Sequence, residues 1–333
     1  MPGAVSRPSV LVTSAGRRVQ LVRFFREALA RLDVPGRVLV VDMNPEWAAA
    51  SRSADVAVRA PAVTDPDYEP FLLDLVSREG VGLLVPTLDT ELAVLARLRG
   101  ALAERGCAAV VCDPELVATG RDKRRTAEWF RALGFETPET YPRDALRFPC
   151  FAKPYDGSLS KGAQALLTER ALAPALLDDE RMLFMEYFGP DAFDELSVDA
   201  YYADGGALRC LVPRKRVEVR GGEISKGVAL KGPTYEYLCA RLGHLEGARG
   251  CLTLQFFVAK DGSRCVASEL NARFGGGYPL TRAAGADYPE WLVREYLLGE
   301  SLPFFSGWCH GTAMTRYDDE FVFDAAEGPA ADA

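Results

Sequence analysis

Short β-branched apolar runs alternate with helix-period segments over the first third of the chain. SVLVT (9–13) precedes an amphipathic pattern running to about Leu32, RVLVVD (37–42) precedes a helical pattern at 67–79, and VGLLV (81–85) precedes another at 91–103, with a further strand at 108–111. This alternation predicts βαβ units, hence a parallel sheet with right-handed crossovers in a doubly wound domain of about 115 residues.

Beyond Pro114 the period changes. GRDKRRTAEWFRALGF (120–135) reads as a helix, and Pro138 and Pro142 mark a connector. A strand carrying Lys153 follows, then MLFMEYF (182–188), ELSVDAYY (195–202), ALRCLVPRKRVEV (207–219) and GEISKGVAL (222–230), which predict an antiparallel sheet after the parallel one. A helix at about 234–248 leads to two apolar runs within 251–268, broken by Lys260-Asp261-Gly262, which read as a β-hairpin with glycine in its turn. A last helix covers roughly 288–298 and a final strand lies near Thr312–Tyr317, before an EGPAADA terminus expected to be disordered.

The stretch ELNARFGGG (269–277) at the end of that hairpin carries the most chemistry. Residues two apart on a strand share a face, so Glu269, Asn271 and Arg273 point the same way, and Gln255 can lie beside them on the paired strand. Oxygen ligands next to a guanidinium suit Mg²⁺ shared with nucleotide phosphates, although a solvated strand end entering a glycine turn would show the same residues.

Other candidates are weaker alone. Ser14-Ala15-Gly16-Arg17-Arg18 at the first strand-to-helix turn can hold an anion, but it lacks the G-x-G-x-x-G spacing. A nicotinamide-dependent oxidoreductase would rest on this domain only, and Asp42 is read as structural or substrate-side. Lys123 sits in the first turn of a helix, the wrong end for a cation, so it either faces an anionic partner or is simply solvated. Gly157-Ser158-Leu159-Ser160-Lys161-Gly162 can fold backbone N–H groups over phosphates, or be a plain hairpin turn. With few apolar anchors it is expected to order only when nucleotide binds.

Composition narrows the class. A net charge of −8 argues against a nucleic-acid surface. Eight scattered cysteines without a C-x-x-C pair read as buried reduced thiols. No run approaches a membrane span and no signal pattern opens the chain, so a soluble cytoplasmic protein is expected. The two histidines, His244 and His310, are read as structural.

Taken together, LVTSAGRRVQLV (11–22), VPTLDTEL (85–92), DKRRTAEWFRALGFETP (122–138), FPCFAKPYDGSLSKG (148–162), VPRKRVEVRGGEISKG (212–227) and ELNARFGGGYPL (269–280) resemble the ATP-grasp superfamily over nearly the whole chain. The closest likeness is to single-module carbamoyl-phosphate-synthase-like proteins. One departure is Ala272, where the family usually has proline between the metal-binding Asn and the Arg. The resemblance implies a mixed α/β and α+β fold: a Rossmann-like pre-ATP-grasp domain over 1–115, then a two-subdomain ATP-grasp module over 116–323 with its lid at about 123–186, and a tail at 324–333.

The same resemblance assigns roles. Lys123 and Lys153 would contact ATP phosphates under the loop Gly157, Ser158, Ser160, Gly162. Glu186, Tyr187 and Phe188 would form the adenine-reading hinge, largely through backbone, and Glu195 would take the ribose hydroxyls. Gln255, Glu269 and Asn271 would ligate Mg²⁺, with Mn²⁺ admitted as a substitute. Arg273, with Lys153, would be catalytic at the transferred phosphoryl group. Arg214, Arg216 and Lys226 match more loosely a segment facing the acyl substrate.

The implied activity is ATP- and Mg²⁺-dependent ligation of a small-molecule carboxylate to an amine or related nucleophile through an acyl phosphate, giving ADP and phosphate. The alternatives are a carbamoyl-phosphate-synthase-type half-enzyme phosphorylating bicarbonate or carbamate with a partner, and a non-catalytic ATP-binding regulatory protein. Neither nucleic acid nor membrane is an expected partner, and a homodimer is compatible with the sequence.

Overall fold

A computed structural model describes residues 8–157 and 161–324. The first sheet has the order β3-β2-β1-β4-β5, built from β1 (Ser9–Thr13), β2 (Val38–Asp42), β3 (Val56–Arg59), β4 (Val81–Pro86) and β5 (Ala108–Ala109). β1 runs parallel to both β2 and β4, as the alternating pattern predicts. Its buried Val10, Leu11 and Val12 are covered by α1 (Val19–Arg31), α2 (Tyr68–Glu79) and α3 (Leu92–Ala103). α1 turns Leu21, Val22, Phe25, Ala28 and Leu29 inward at helical spacing. β3 was not expected: it follows a 3₁₀ turn at Ala49–Ser53 and is a short, partly exposed edge, so its sequence carries little pattern.

The helix expected over 120–135 is two helices, α4 (Pro114–Arg121) and α5 (Lys123–Ala132). Asp122 divides them. Its backbone is extended at φ −118°, ψ 114°, and its carboxylate accepts the Arg124 N–H at 2.9 Å, which caps α5. Pro114 starts α4 at the position where a missing N–H costs nothing.

A small antiparallel sheet follows, of order β7-β6-β8, from β6 (Cys150–Pro154), β7 (Gln164–Leu166) and β8 (Met182–Glu186), with α6 (Pro174–Asp178) alongside. It has its own apolar cluster of Cys150, Ala152, Leu166, Met182 and Phe184. The large sheet has the order β13-β12-β9-β10-β11-β14. Its strands are β9 (Phe193–Tyr202), β10 (Leu208–Arg220), β11 (Glu223–Ala229), β12 (Gly250–Ala259), β13 (Cys265–Asn271) and β14 (Ala313–Thr315), all antiparallel.

α7 (Pro233–Leu242) stops six residues before the expected end at 248, because the Leu245 N–H leaves the helix to bond Gly206 O at 2.9 Å. α8 (Tyr278–Ala283) was not anticipated, and the last helix is α9 (Tyr288–Leu292) running into a π turn at Val293–Leu297. One apolar cluster runs from Leu11, Leu39 and Leu84 of the parallel sheet through Phe130 to Val198, Leu254 and Leu270 of the large sheet. The two sheets are therefore fixed to each other by a shared core.

All eight thiols are free and five are buried, while Cys309 is exposed, contrary to a uniformly buried reading. Among the described residues no helix is long and apolar enough to cross a membrane.

Candidate active site

The register of the large sheet gathers the polar residues on one face. Gln255 lies opposite Glu269 and Thr253 opposite Asn271 across the β12–β13 hairpin, so the oxygen-bearing side chains sit together as their spacing implied. On the other side of β12, Gln255 pairs with Ser197 of β9, and Ser197 pairs with Arg214 of β10. Because alternate residues share a face, Glu195 and Arg216 join the same surface. The small β7-β6-β8 sheet stands opposite it. The cleft between them has a volume of about 430 Å³.

Lys153 reaches across this cleft from β6. Its Nζ is 3.4 Å from Glu269 Oε1 and its side chain is almost fully buried. Lys123 enters from the start of α5, where its ammonium donates to Gly157 O at 2.6 Å and its own N–H donates to Tyr155 O at 2.9 Å. The partner of this helix-start lysine is thus a carbonyl, with Glu269 as the nearby charge. Burial, opposed by Glu269 and reinforced by Lys153 and Arg121, lowers the Lys123 ammonium below its ordinary value of 10.5. For Glu269, burial works against ionisation, but Lys153, Lys123 and Arg216 outweigh it and hold the carboxyl below the usual 4.5. Glu195 goes the other way. Burial pushes its carboxyl up despite the Arg216 guanidinium 2.5 Å away.

Arg273 is held from the other domain. Its Nη2 donates to Asp89 Oδ2 at 2.6 Å and to Asn271 Oδ1 at 3.3 Å, while Nη1 donates to Phe274 O at 3.0 Å. Asp89 stands in the loop after β4, within the VPTLDTEL segment, and sequence reasoning gave it no role. An acid at a sheet's carboxyl end was the available signal.

Three glycines follow, and they serve close approach more than turn geometry. A Cβ on Gly275 would meet Thr253 Oγ1 at 2.8 Å, one on Gly276 would meet the Glu223 carboxylate within 2.5 Å, and one on Gly277 would lie 2.0 Å from Arg214 Nη1. Gly277 has an ordinary φ of −86°.

The remaining expected residues are placed unevenly. Tyr187 and Phe188 line the cleft, and Phe151, Met185 and Phe257 add an apolar wall that the sequence did not single out. The Glu186 carboxylate is engaged by Arg264 at 2.7 and 3.3 Å, and its N–H donates to Glu139 O at 2.8 Å. Arg214 is buried under Gly277 and paired with Asp199 at 2.7 Å, and Asp199 also accepts from Thr253 and Thr281. Arg216 belongs with Glu195, inside the nucleotide-sized cleft. Lys226 does not line it: its ammonium pairs with the exposed Glu218 of the neighbouring strand at 2.7 Å. Gly157 lines the cleft, Gly162 packs against Pro154, and Ser158 and Ser160 lie outside the described residues. Asp42 accepts the N–H groups of Gly16 and Asn44, both at 3.0 Å, so it holds the first strand-to-helix turn.

Two family models match. Residues 10–110 match the PylC-like N-terminal domain, and residues 178–307 match the ATP-grasp domain of the biosynthetic pathway with Ter operon. Residues 178–307 are an ATP-grasp domain.

Lys123 and Lys153 lie between the two matched stretches. Their place in this ATP-grasp cleft therefore rests on the contacts above. A curated relative, the 3-methyl-D-ornithine--L-lysine ligase of Methanosarcina acetivorans, is 30% identical over 147 residues. That match covers 43% of this chain and only 38% of the relative. Among solved structures, N5-carboxyaminoimidazole synthetase from Staphylococcus aureus complexed with ADP has a TM-score of 0.68 at 14% identity, covering 89% of this chain and 78% of that one. The biotin carboxylase domain of Hydrogenobacter thermophilus 2-oxoglutarate carboxylase, in complex with MgADP, ADP and bicarbonate, has a TM-score of 0.66 at 16% identity, covering 88% and 70%. L-amino acid ligase from Bacillus licheniformis has a TM-score of 0.65 at 16% identity, covering 87% and 74%. At these identities the structural likeness speaks for the fold.

Proposed function

We propose that the protein is an ATP- and Mg²⁺-dependent carboxylate–amine ligase. The observation that carries this reading is the set of charges in one cleft: an ionised Glu269, flanked by Asn271 and Gln255, facing Lys153, Lys123 and Arg273. Phosphoryl transfer needs positioning and charge neutralisation more than a proton-transfer base, and these groups supply both.

The donor set fits Mg²⁺. Glu269 offers a carboxylate kept ionised by its neighbours, and Asn271 and Gln255 offer carboxamide oxygens on the same face. When bound there, the metal would neutralise phosphate charge. Lys153 and Lys123 would hold the nucleotide phosphates, Phe151, Met185 and Phe257 would cover the purine, and Glu195 would take the ribose hydroxyls. Arg273, oriented by Asp89, would stabilise the oxygens of the transferring phosphoryl group.

In the first step a substrate carboxylate oxygen bonds to the γ-phosphorus and the bond to the β,γ-bridging oxygen breaks, giving an acyl phosphate and ADP. In the second an amine bonds to the acyl carbon, the C–O bond to phosphate breaks, and the ammonium proton passes to phosphate or solvent. The named relative that joins two amino acids and the L-amino acid ligase of the same fold support this reaction class.

The test is phosphate release with MgATP across a panel of amino acids and small acids. Wild-type turnover that is lost in Glu269→Gln and Asn271→Ala, both still folded by circular dichroism, is the expected result. Equal turnover in wild type and both variants would mean that the metal and phosphoryl groups bind elsewhere.

A further inference from the structure

A second and larger cavity, about 740 Å³, lies between the first strand-to-helix turn of the N-terminal domain and the segment 314–323, which is the end of β14 and the chain that follows it. The nucleotide reading makes no use of it. Arg18, Glu223, Gly275 and Gly276 line both cavities, so the two adjoin at this point.

The mouth is strongly cationic. Glu223 is the carboxylate around which Arg17 at 3.2 Å, Arg18 at 3.5 Å and Arg316 at 2.9 Å converge. Arg316 is further fixed by donating to Gly276 O at 2.5 Å. Arg18 is not fixed in this way. Among the described residues its ion-pair contact is the long one to Glu223, although its side chain is only 19% exposed. It also lies close enough to feel the charge of Arg273. A mostly buried guanidinium with one long ion-pair contact, beside the phosphoryl-transfer groups, leaves donors for a second carboxylate. The other end of the cavity is aromatic: Arg52 stacks 3.6 Å from the Phe323 ring, Trp47 lies 6.2 Å from it, and Phe321 completes the wall.

We propose that this cavity binds the acyl donor, a carboxylate-bearing small molecule whose carboxylate meets Arg18 at the shared mouth and whose body extends toward Trp47 and Phe321. The proposal rests on the ligase reading of the adjoining cleft. Arg18 then presents the carboxylate to the nucleotide, and the 314–323 segment is a wall that selects the donor by shape. The shared chemistry is a carboxylate on a partly apolar body, which an amino acid and a plain carboxylic acid both have.

The experiment uses the full chain with MgATP and a panel of the L- and D-amino acids and of C2–C8 mono- and dicarboxylic acids, which separates those two sources. Phosphate release gives the KM of each active acid. Calorimetry gives the Kd of a non-hydrolysable ATP analogue, and of each acid in its presence. Arg18→Gln is expected to raise the acid KM at least tenfold with the analogue Kd unchanged. Trp47→Ala, at a side chain that is largely exposed and so neutral for folding, is expected to change the order of preference among acids of different length. Unchanged acid KM and preference in both variants would overturn the proposal, as would an analogue that binds while no acid of the panel does. Failure of the analogue itself to bind wild-type protein would instead overturn the nucleotide reading beneath it.

Discussion

Replacing Asp89 tests whether the N-terminal domain takes part in phosphoryl transfer or only packs against the site. Asp89 contacts Arg273 at 2.6 Å, with side chains 17% and 13% exposed, so the pair is mostly shielded from water. A charge-assisted hydrogen bond of this kind contributes about 1.5–3 kcal/mol. Asp89→Asn keeps an acceptor oxygen and loses the charge, so roughly half of that is at stake, about 1–1.5 kcal/mol, or close to tenfold in rate. Asp89→Ala removes the acceptor as well and leaves the guanidinium with Asn271 and the Phe274 carbonyl, for which about a hundredfold loss of kcat is expected. ATP affinity should change little, because Asp89 acts through Arg273 and not on the nucleotide. Steady-state phosphate release gives kcat, calorimetry gives the Kd of an ATP analogue, and a double-mutant cycle with Arg273→Gln isolates the pair. Effects that simply add in the cycle, or an intact kcat in Asp89→Ala, would refute the argument that Asp89 positions Arg273.

Lys153→Ala should weaken ATP binding by about 1.5–3 kcal/mol, roughly 10- to 150-fold, measured by calorimetry, because Lys153 is buried with its ammonium facing the cleft. Burial lowers the Lys123 ammonium from 10.5, so it loses its charge at a lower pH than a free lysine, and ATP affinity should fall as pH rises through that lowered value. Lys123→Arg, charged throughout, should flatten this alkaline limb, and an identical limb in both proteins would assign the titration to another group. Gly277→Ala should cost about 1–3 kcal/mol in chemical denaturation, since its Cβ would stand 2.0 Å from Arg214 Nη1 and 2.5 Å from Ile224 Cγ2. Stability equal to wild type would show that Arg214 shifts without loss.

What could be read from the sequence follows from which interactions are local. Strand periodicity alone places Glu269 and Asn271 on one face, because two-residue alternation is built into the backbone, and the hairpin turn brings Gln255 opposite. Lys153 is likewise marked by its strand. The division at Asp122 was missed because a strongly helical run hid a capping aspartate whose Arg124 N–H bond decides the boundary. β3 and β7 were missed for the opposite reason: at four and three residues, in exposed or edge positions, they owe their conformation to neighbouring strands.

The least legible feature is the site's coupling to the N-terminal domain. Asp89 meets Arg273 across 184 residues, and Arg18 meets Glu223 across a still larger separation, so neither pair leaves a spacing to read. The glycine triplet shows how the same residues can mean two things. In sequence, Gly-Gly-Gly is a turn signal, yet here Thr253, Glu223 and Arg214 press against three successive glycines in positions a Cβ would occupy. Arg214 and Glu223 come from β10 and β11, which are sheet neighbours of each other but not of the hairpin that carries the glycines. The triplet therefore lets the hairpin end settle onto the β10–β11 surface and brings Arg273 and the shared mouth of the two cavities within one turn of chain. Substituting these glycines should thus disturb the junction between the cavities before it disturbs the hairpin, whose own turn lies at Lys260–Gly262 on the far end of its strands.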